Sequence, residues 1–424
     1  MDACLGSPSR RLLILTLLAA ATAVLADDPD AAALLLADKT ATETAQGSNW
    51  RLFSEAAWSE STSRANAARL QVERLSLDVR YDKTFAADWR AVFADRLDAR
   101  WEDRSSHETN VNTLKEAYLS WQARPDRIAD LGRINARYGV ASAYNPTDFF
   151  RAGAVRSVVS VDPASLRENR LGSVMVRAQT LWNEGALSAL YSPKLADQPS
   201  DSAFSADLGA SNGRDRWLVA GTQKLSDRFD PQWLLFGGAG QSPQLGLNLT
   251  ALVNEATVAY VEWSVGRTPS LISQALLLPE DIAFRSRLAT GFTYTAANKL
   301  SLTLEYQYNG AGLNQADWDA LRRGPPINYG RYRALAANLQ DPPTRRKVFL
   351  RGYWQDALVN HLDLTTDVFV NPVDSSRQFW TETRYHWTHV DAALQWQLNS
   401  GQPGSEYGAS PERRLWQVLA TYFF

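Results

Sequence analysis

From Trp50 to the last residue the sequence alternates. Leu75, Leu77, Val79 and Tyr81 are interleaved with Ser76, Asp78 and Arg80, and Trp89, Ala91, Phe93, Leu97, Ala99 and Trp101 with Arg90, Arg96, Asp98 and Arg100. Farther on, Leu300, Leu302, Leu304, Tyr306 and Tyr308 alternate with Ser301, Thr303, Glu305 and Gln307, and Leu362, Leu364, Thr366, Val368 and Val370 with Asp363, Thr365 and Asp367. A period of two with one apolar and one polar side is the signature of β-strands whose faces meet different surroundings. The segments run about 9 to 12 residues, the length a tilted strand needs to cross a bilayer.

Eighteen such segments follow one another, beginning near residues 49, 70, 89, 110, 127, 171, 186, 214, 232, 244, 256, 284, 300, 346, 362, 377, 390 and 413. Those near 232 and 244 carry the weakest pattern, so sixteen is the alternative. With the first strand rising from the periplasm, one end carries short connections such as Asn183-Glu184-Gly185, Asn254-Glu255 and 296–299. The other carries the long stretches 138–170, 194–213, 267–283 and 310–345. That asymmetry belongs to closed antiparallel transmembrane β-barrels with long extracellular loops, and an even strand count brings both termini to the periplasm.

The final segment supports the same fold. Trp416, Val418, Ala420, Tyr422 and the terminal Phe424 alternate with Gln417, Leu419, Thr421 and Phe423. This pattern is expected to act as the assembly signal read by the barrel-assembly machinery. A soluble β-sandwich can also end on an apolar strand, but it accounts for neither the loop asymmetry nor the lack of cysteine staples. Composition agrees with a barrel: 45% apolar residues and 15 each of Trp, Tyr and Phe coexist with a mean hydropathy of −0.32. Alternate residues facing lipid and lumen produce that combination.

The N-terminus reads as a removable address. Arg10 and Arg11 precede the apolar stretch Leu12 to Ala23, which is too short to span a bilayer, and the small or aliphatic residues Val24-Leu25-Ala26 come before Asp27. The expected organisation is a signal peptide over 1–26, a periplasmic leader over 27–48 and an outer-membrane barrel over 49–424. Cys4, the single cysteine, leaves with the signal, which excludes disulfides and thiolate metal sites in the mature chain. Four histidines leave little for a metal cluster, and no cofactor is expected. A formal charge of −2 gives no sign of nucleic acid as a partner. The expected partners are outer-membrane lipid and lipopolysaccharide, the assembly machinery and a transported solute.

Only seven of the 44 basic residues are lysine. Arginine stays charged and grips carboxylates through a planar fork. On the inferred lumen face stand Arg80, Arg90, Arg96, Arg100, Arg133, Arg137, Arg177, Arg351 and Arg384, among Asp78, Asp98, Glu305, Asp363, Asp367, Glu382 and Asp391. Either the arginines line an anion-selective passage, concentrated on strands two to six, or they pair across strands and fill a wide lumen. A second candidate is Asn145-Pro146-Thr147-Asp148-Phe149-Phe150-Arg151, a structured loop echoed at Asn371-Pro372-Val373-Asp374-Ser375-Ser376-Arg377. These are two similar turns, or the first is a constriction loop with Arg151 and Arg156 at its rim. The stretch after Ala311, with helical character over Asp317 to Arg323, is either a lid or an exposed ornament.

Gly132-Arg133, Asn145 to Asp148, Asp162-Pro163, Leu171 to Met175 and Tyr191-Ser192-Pro193 resemble the porin-like outer-membrane barrels related to the alginate-export channel. The resemblance covers roughly residues 110–195 together with the barrel pattern. It implies an 18-stranded barrel with an arginine-rich conduit, including Arg133 and Arg137, for passive conduction of anionic solutes or polysaccharide. The expectation is a channel for small hydrophilic, preferably anionic, solutes. Export of an anionic polysaccharide and a non-conducting structural or adhesive barrel are the alternatives. His386, His389 and Asp391 fall on one hairpin at the short-turn end, without a Gly-x-Ser-x-Gly or a paired His-Asp loop, so no enzymatic activity is expected.

Overall fold

A computed structural model describes residues 48–103, 109–226 and 229–424. The expected signal peptide and all of the expected leader but Ser48 lie outside the described residues. Eighteen strands follow in chain order: β1 Trp50–Ser63, β2 Arg69–Ala86, β3 Trp89–Glu102, β4 Thr109–Arg124, β5 Arg127–Ile134 and β6 Ser173–Trp182. Next come β7 Gly185–Ser192, β8 Arg216–Gln223, β9 Phe229–Gly238, β10 Gln241–Asn254, β11 Thr257–Thr268 and β12 Ala283–Thr295. The last are β13 Leu300–Asn309, β14 Arg346–Trp354, β15 Leu362–Asn371, β16 Ser376–His386, β17 Val390–Ser400 and β18 Glu412–Phe423. Each pairs antiparallel with its chain neighbours, and β1 also pairs with β18, so the sheet closes. Closure leaves no edge strand to template aggregation.

All eighteen expected segments are strands, with starts displaced by three residues at most. The two weak ones, β9 and β10, are real. Their pattern is blurred by Pro231 and Pro243 and by a tight connection in which Gly240 takes φ +73°. The long connections gather at one end, although β9–β10 and β15–β16 are also joined there by short turns.

The two faces separate as the alternation requires. Leu77 and Phe93 are 42% and 40% exposed on the outside, whereas Asp78, Arg96 and Asp98 are 1–3% exposed on the inside. The inner face itself divides. On β5 to β9 it is apolar: Ile134, Met175, Leu190, Leu218, Leu234 and Phe236 form one core with Ala136, Tyr138 and Phe150 of the β5–β6 connection. Fully burying a leucine or phenylalanine contributes about 1.5 to 3 kcal/mol. The connection therefore folds into the lumen and stays there by burial, and polar surface is left to the opposite wall.

Among the described residues five short helices decorate the connections: α1 Pro163–Glu168, α2 Leu208–Ser211, α3 Leu271–Leu276, α4 Gln315–Arg323 and α5 Pro326–Leu339. Leu271, Leu313, Trp318, Tyr332 and Ala336 pack together and join α3, α4 and α5 at the long-loop end. The echo at Asn371 is a tight turn instead. Asn371 accepts the Val373 amide, and Asp374 accepts both the amide and the hydroxyl of Ser376.

Candidate functional site

The inward β5–β6 loop, residues 135–172, is the feature that shapes the lumen. Two wholly buried carboxylates on the barrel wall grip it. Glu262 on β11 accepts the amides of Val140, Ala141 and Thr147, the Thr147 hydroxyl and the Asn145 side-chain amide, at 2.8 to 3.1 Å. Glu305 on β13 accepts the amides of Ser142, Ala143 and Tyr144, the Tyr260 hydroxyl and the Gln307 amide, at 2.7 to 3.1 Å. Consecutive amides turned toward a carboxylate form an anion-binding concavity, and here the anion is the protein's own. Gly139 makes the approach possible, with φ +108° and a position where any Cβ would stand 2.5 Å from Glu262 Oε2.

Within the loop, Asp148 and Arg170 form a buried two-point pair at 2.7 and 3.2 Å. Phe149 stacks on Phe236 with ring centroids 4.5 Å apart. Pro146 is buried between the residues that Glu262 holds. Arg151 and Arg156, expected at a constriction rim, are largely buried side chains that act as clamps. Arg151 Nη2 donates to Asp341 Oδ1 at 2.5 Å, its Nε to Leu339 O at 3.1 Å and its Nη1 to Asn145 O. Arg156 donates to the carbonyls of Asn112, Ser202 and Ser205 at 2.6 to 2.8 Å. Backbone carbonyls that lack a partner in the sheet need donors, and these guanidinium forks supply them.

Six of the nine expected lumen arginines meet carboxylates closely. Arg80 lies 2.9 Å from Glu116, Arg90 2.6 Å from Asp82 and Arg177 2.7 Å from Asp130. Arg351 is 2.5 Å from Asp162 and Arg384 2.8 Å from Glu382. Arg96 sits among Asp98, Glu55 and Asp78 at 3.0, 3.1 and 3.8 Å. Arg133 is 3% exposed and meets no carboxylate closely: Gly132 takes φ +138° beside it, and its guanidinium donates to the carbonyls of Gly172 and Ala206. Arg100 has only a loose contact, 3.7 Å to Glu102, with its side chain 38% exposed. Arg137 makes no hydrogen bond or ion pair among the described residues, and acts by its field on Glu168 and Arg167.

A cavity of about 320 Å³ lies between the inward loop, α5 and the wall of β13 to β15, lined by Tyr144, Arg151, Arg333, Asp341, Lys347 and Glu406 among others. Arg287 and Arg151 hold the Asp341 carboxyl below the usual range although burial alone would raise it. Burial, and then the Asp341 charge, push the Tyr144 phenol well up, so it stays a neutral donor to Asp341 at 2.9 Å. Sequence reading passed over Glu262, Arg51 and Asp341. Glu262 had a signal, as a lone charge flanked by Tyr260, Val261, Trp263 and Val265.

A closed 18-stranded antiparallel barrel with one long loop folded into a polar, charge-paired lumen is the class that these features define. No protein-family model matches the sequence, and no curated protein matches it. Solved structures do match. Acinetobacter baumannii OccAB1 superposes with a TM-score of 0.56 at 10% identity, over 89% of this chain and 96% of that one. Pseudomonas aeruginosa OccK2 (OpdF) gives 0.56 at 11%, over 88% and 97%. The P. aeruginosa outer membrane protein opdK gives 0.53 at 10%, over 88% and 98%. At these identities the likeness is one of fold. These matches show no relation to the alginate-export group beyond the barrel fold.

Proposed function

We propose that this chain is a Gram-negative outer-membrane channel that lets small hydrophilic solutes diffuse passively, with a preference for anions. The observation that carries the reading is the inner face: a closed barrel of transmembrane strand length whose lumen is polar on one side and narrowed by a structured loop on the other. The outer face suits lipid. Leu75, Leu119, Leu245, Leu302, Leu350 and Val418 are 42–54% exposed there. Aromatic pairs gather at the short-turn end, Trp50 with Tyr81 at 4.5 Å, Trp89 with Trp121 at 5.9 Å and Tyr385 with Trp387 at 4.5 Å, as an interfacial belt requires. Outward Trp416, Val418, Tyr422 and Phe424, with Ala420 between them, lie on the strand that closes the barrel and are read as the assembly signal.

Because most lumen charges cancel, the anion preference rests on the cations that are least closely paired, Arg100 with its loose contact to Glu102 and Arg137. The inward loop packed on β5 to β9 narrows the lumen, which favours small solutes over a polymer. We read the chain as non-enzymatic because both ring nitrogens of His386 face carboxylates, Asp391 at 3.0 Å and Asp363 at 3.4 Å, so neither is left to activate a nucleophile. Reconstitution of the mature chain into liposomes and planar bilayers tests the reading. Swelling in small sugars or amino acids and discrete current steps are the expected results. A chain recovered from the soluble periplasm, or one that inserts without conducting, would overturn it.

A further inference from the structure

Lumen arginines mostly meet carboxylates, but a set on the outer face meets none. At the long-loop end, Arg346 opens β14 on the same face as Leu350, Arg377 stands on β16 on the face of Phe379 and Thr381, and Arg414 stands on β18 on the face of Trp416 and Val418. The residues of opposite parity beside them, Phe349, Trp380 and Gln417, are buried inside. Arg267 repeats the arrangement one residue from the end of β11, sharing the face of Val265 and Trp263 while Glu262 and Ser264 are buried behind it. All four arginines are exposed, and no guanidinium among them makes a hydrogen bond or ion pair with the described residues. Because β14, β16 and β18 are alternate strands, Arg346, Arg377 and Arg414 follow one another about 10 Å apart around the wall. Beside Arg267 the surface is apolar: Phe284, its register partner on β12, is 78% exposed, and Leu277, Leu278 and Ile282 of the β11–β12 connection are exposed as well.

We infer that this arc, from β11 round to β18, is a docking surface for the phosphate groups of lipopolysaccharide in the outer leaflet, with Arg267, Arg346, Arg377 and Arg414 as its phosphate ligands. The inference rests on the outer-membrane reading of the chain. A guanidinium fork holds two phosphate oxygens at once, and these forks are open because no carboxylate of the protein occupies them. Toward the middle of the wall from each fork the outward positions turn apolar, Val348 and Leu350 after Arg346 and Trp416 and Val418 after Arg414, as contact with acyl chains requires. The arginine stems can lie along that surface while their heads stay at the level of the headgroups. A free anion would use the cations alone. Only an amphiphile with a phosphorylated head uses the cations and the apolar wall together, and that combination is what selects the partner.

Native mass spectrometry of the full mature protein folded in detergent, titrated with diphosphorylated lipid A and with its dephosphorylated form, tests this. The wild type is expected to retain the phosphorylated lipid and to lose the other. Arg346→Gln, Arg377→Gln and Arg414→Gln should each weaken retention by about fivefold, and the triple variant by their product. Arg127→Gln, which removes an exposed outward charge at the short-turn end of β5, should bind like the wild type. The single variants are read beside the triple one, so a folding defect in the latter does not mask the result. Equal retention of the two lipids, wild-type binding by all the arc variants, as great a loss in Arg127→Gln, or full displacement by inorganic phosphate would overturn the docking surface. The reversal potential in a KCl gradient should be the same in the wild type and the arc variants, and a shift would put these arginines in the field of the lumen and overturn their outward role. None of these outcomes touches the channel reading, which fails only if the wild type does not insert or conduct.

Discussion

Glu262 Oε1 accepts both the amide and the hydroxyl of Thr147 at 2.8 Å, joining β11 to a loop residue 115 positions earlier in the chain. A carboxylate has about four acceptor sites, and this one is filled by five donors. An amide in its place offers one acceptor oxygen and presents a donor to donors. Glu262→Gln is therefore expected to cost about 3 kcal/mol, the worth of a charged hydrogen bond lost with burial of the groups left behind. Thermal unfolding in detergent checks the cost. Single-channel recording should show larger and noisier openings as residues 140–147 come loose, and quiet wild-type conductance would refute the anchoring role.

The Arg151–Asp341 pair ties the same loop to the connection after β13, and it predicts a pH response. Asp341 has its folded-state value depressed by Arg287 and Arg151 against the effect of burial. A depressed carboxyl stabilises fully above its unfolded value of about 3.9 and loses that contribution as pH falls through the lower folded value. Conductance noise should thus stay low from neutral pH down to about 4 and rise only in stronger acid. Asp341→Asn should show acid-like noise already at pH 7, and noise in the wild type at pH 5 to 6 would point to a different group.

The strands were legible because a two-residue period survives whenever the two faces meet different media, and Leu77 against Asp78 is enough to assign sides. The strand count was legible even through β9, whose Pro231 breaks the pattern without breaking the pairing to Leu249. What alternation could not show is which lumen charges are spent. Arg151 and Asp341 lie 190 residues apart, and the carbonyls that hold Arg156 belong to β4 and to the β7–β8 connection. The inward fold of the loop was one of two readings. Its decisive support, an apolar inner face on β5 to β9, was written at Met175, Leu190, Leu218 and Leu234, where lumen positions are hydrophobic.

The outer face gives a third prediction. Leu77 is outward on β2, paired to Ser54 and Leu97, well away from either strand end. Leu77→Arg is expected to cost about 2 to 4 kcal/mol if that position lies near the bilayer midplane. Heat-modifiable migration on a gel reads the folded fraction, which should fall. Normal assembly would mean that this face does not meet hydrocarbon.

The last prediction separates paired arginines from unpaired ones. Arg96 is 3% exposed and faces Asp98, Glu55 and Asp78, so Arg96→Gln leaves buried carboxylates with less counter-charge. Breaking a buried pair from one side costs about 3 to 5 kcal/mol, and the variant should fold poorly before its selectivity can be read. Arg100 has only its loose contact with Glu102 and Arg137 has no ion pair among the described residues, and their joint replacement by glutamine should leave assembly unchanged while moving the reversal potential toward cations. Lumen positions tune selectivity in this way when their charge is free to act on the permeating ion. An unaltered reversal potential in Arg100→Gln/Arg137→Gln, with normal heat-modifiability, would show that these cations too are balanced, and the preference for anions would have to be abandoned in favour of a general diffusion pore.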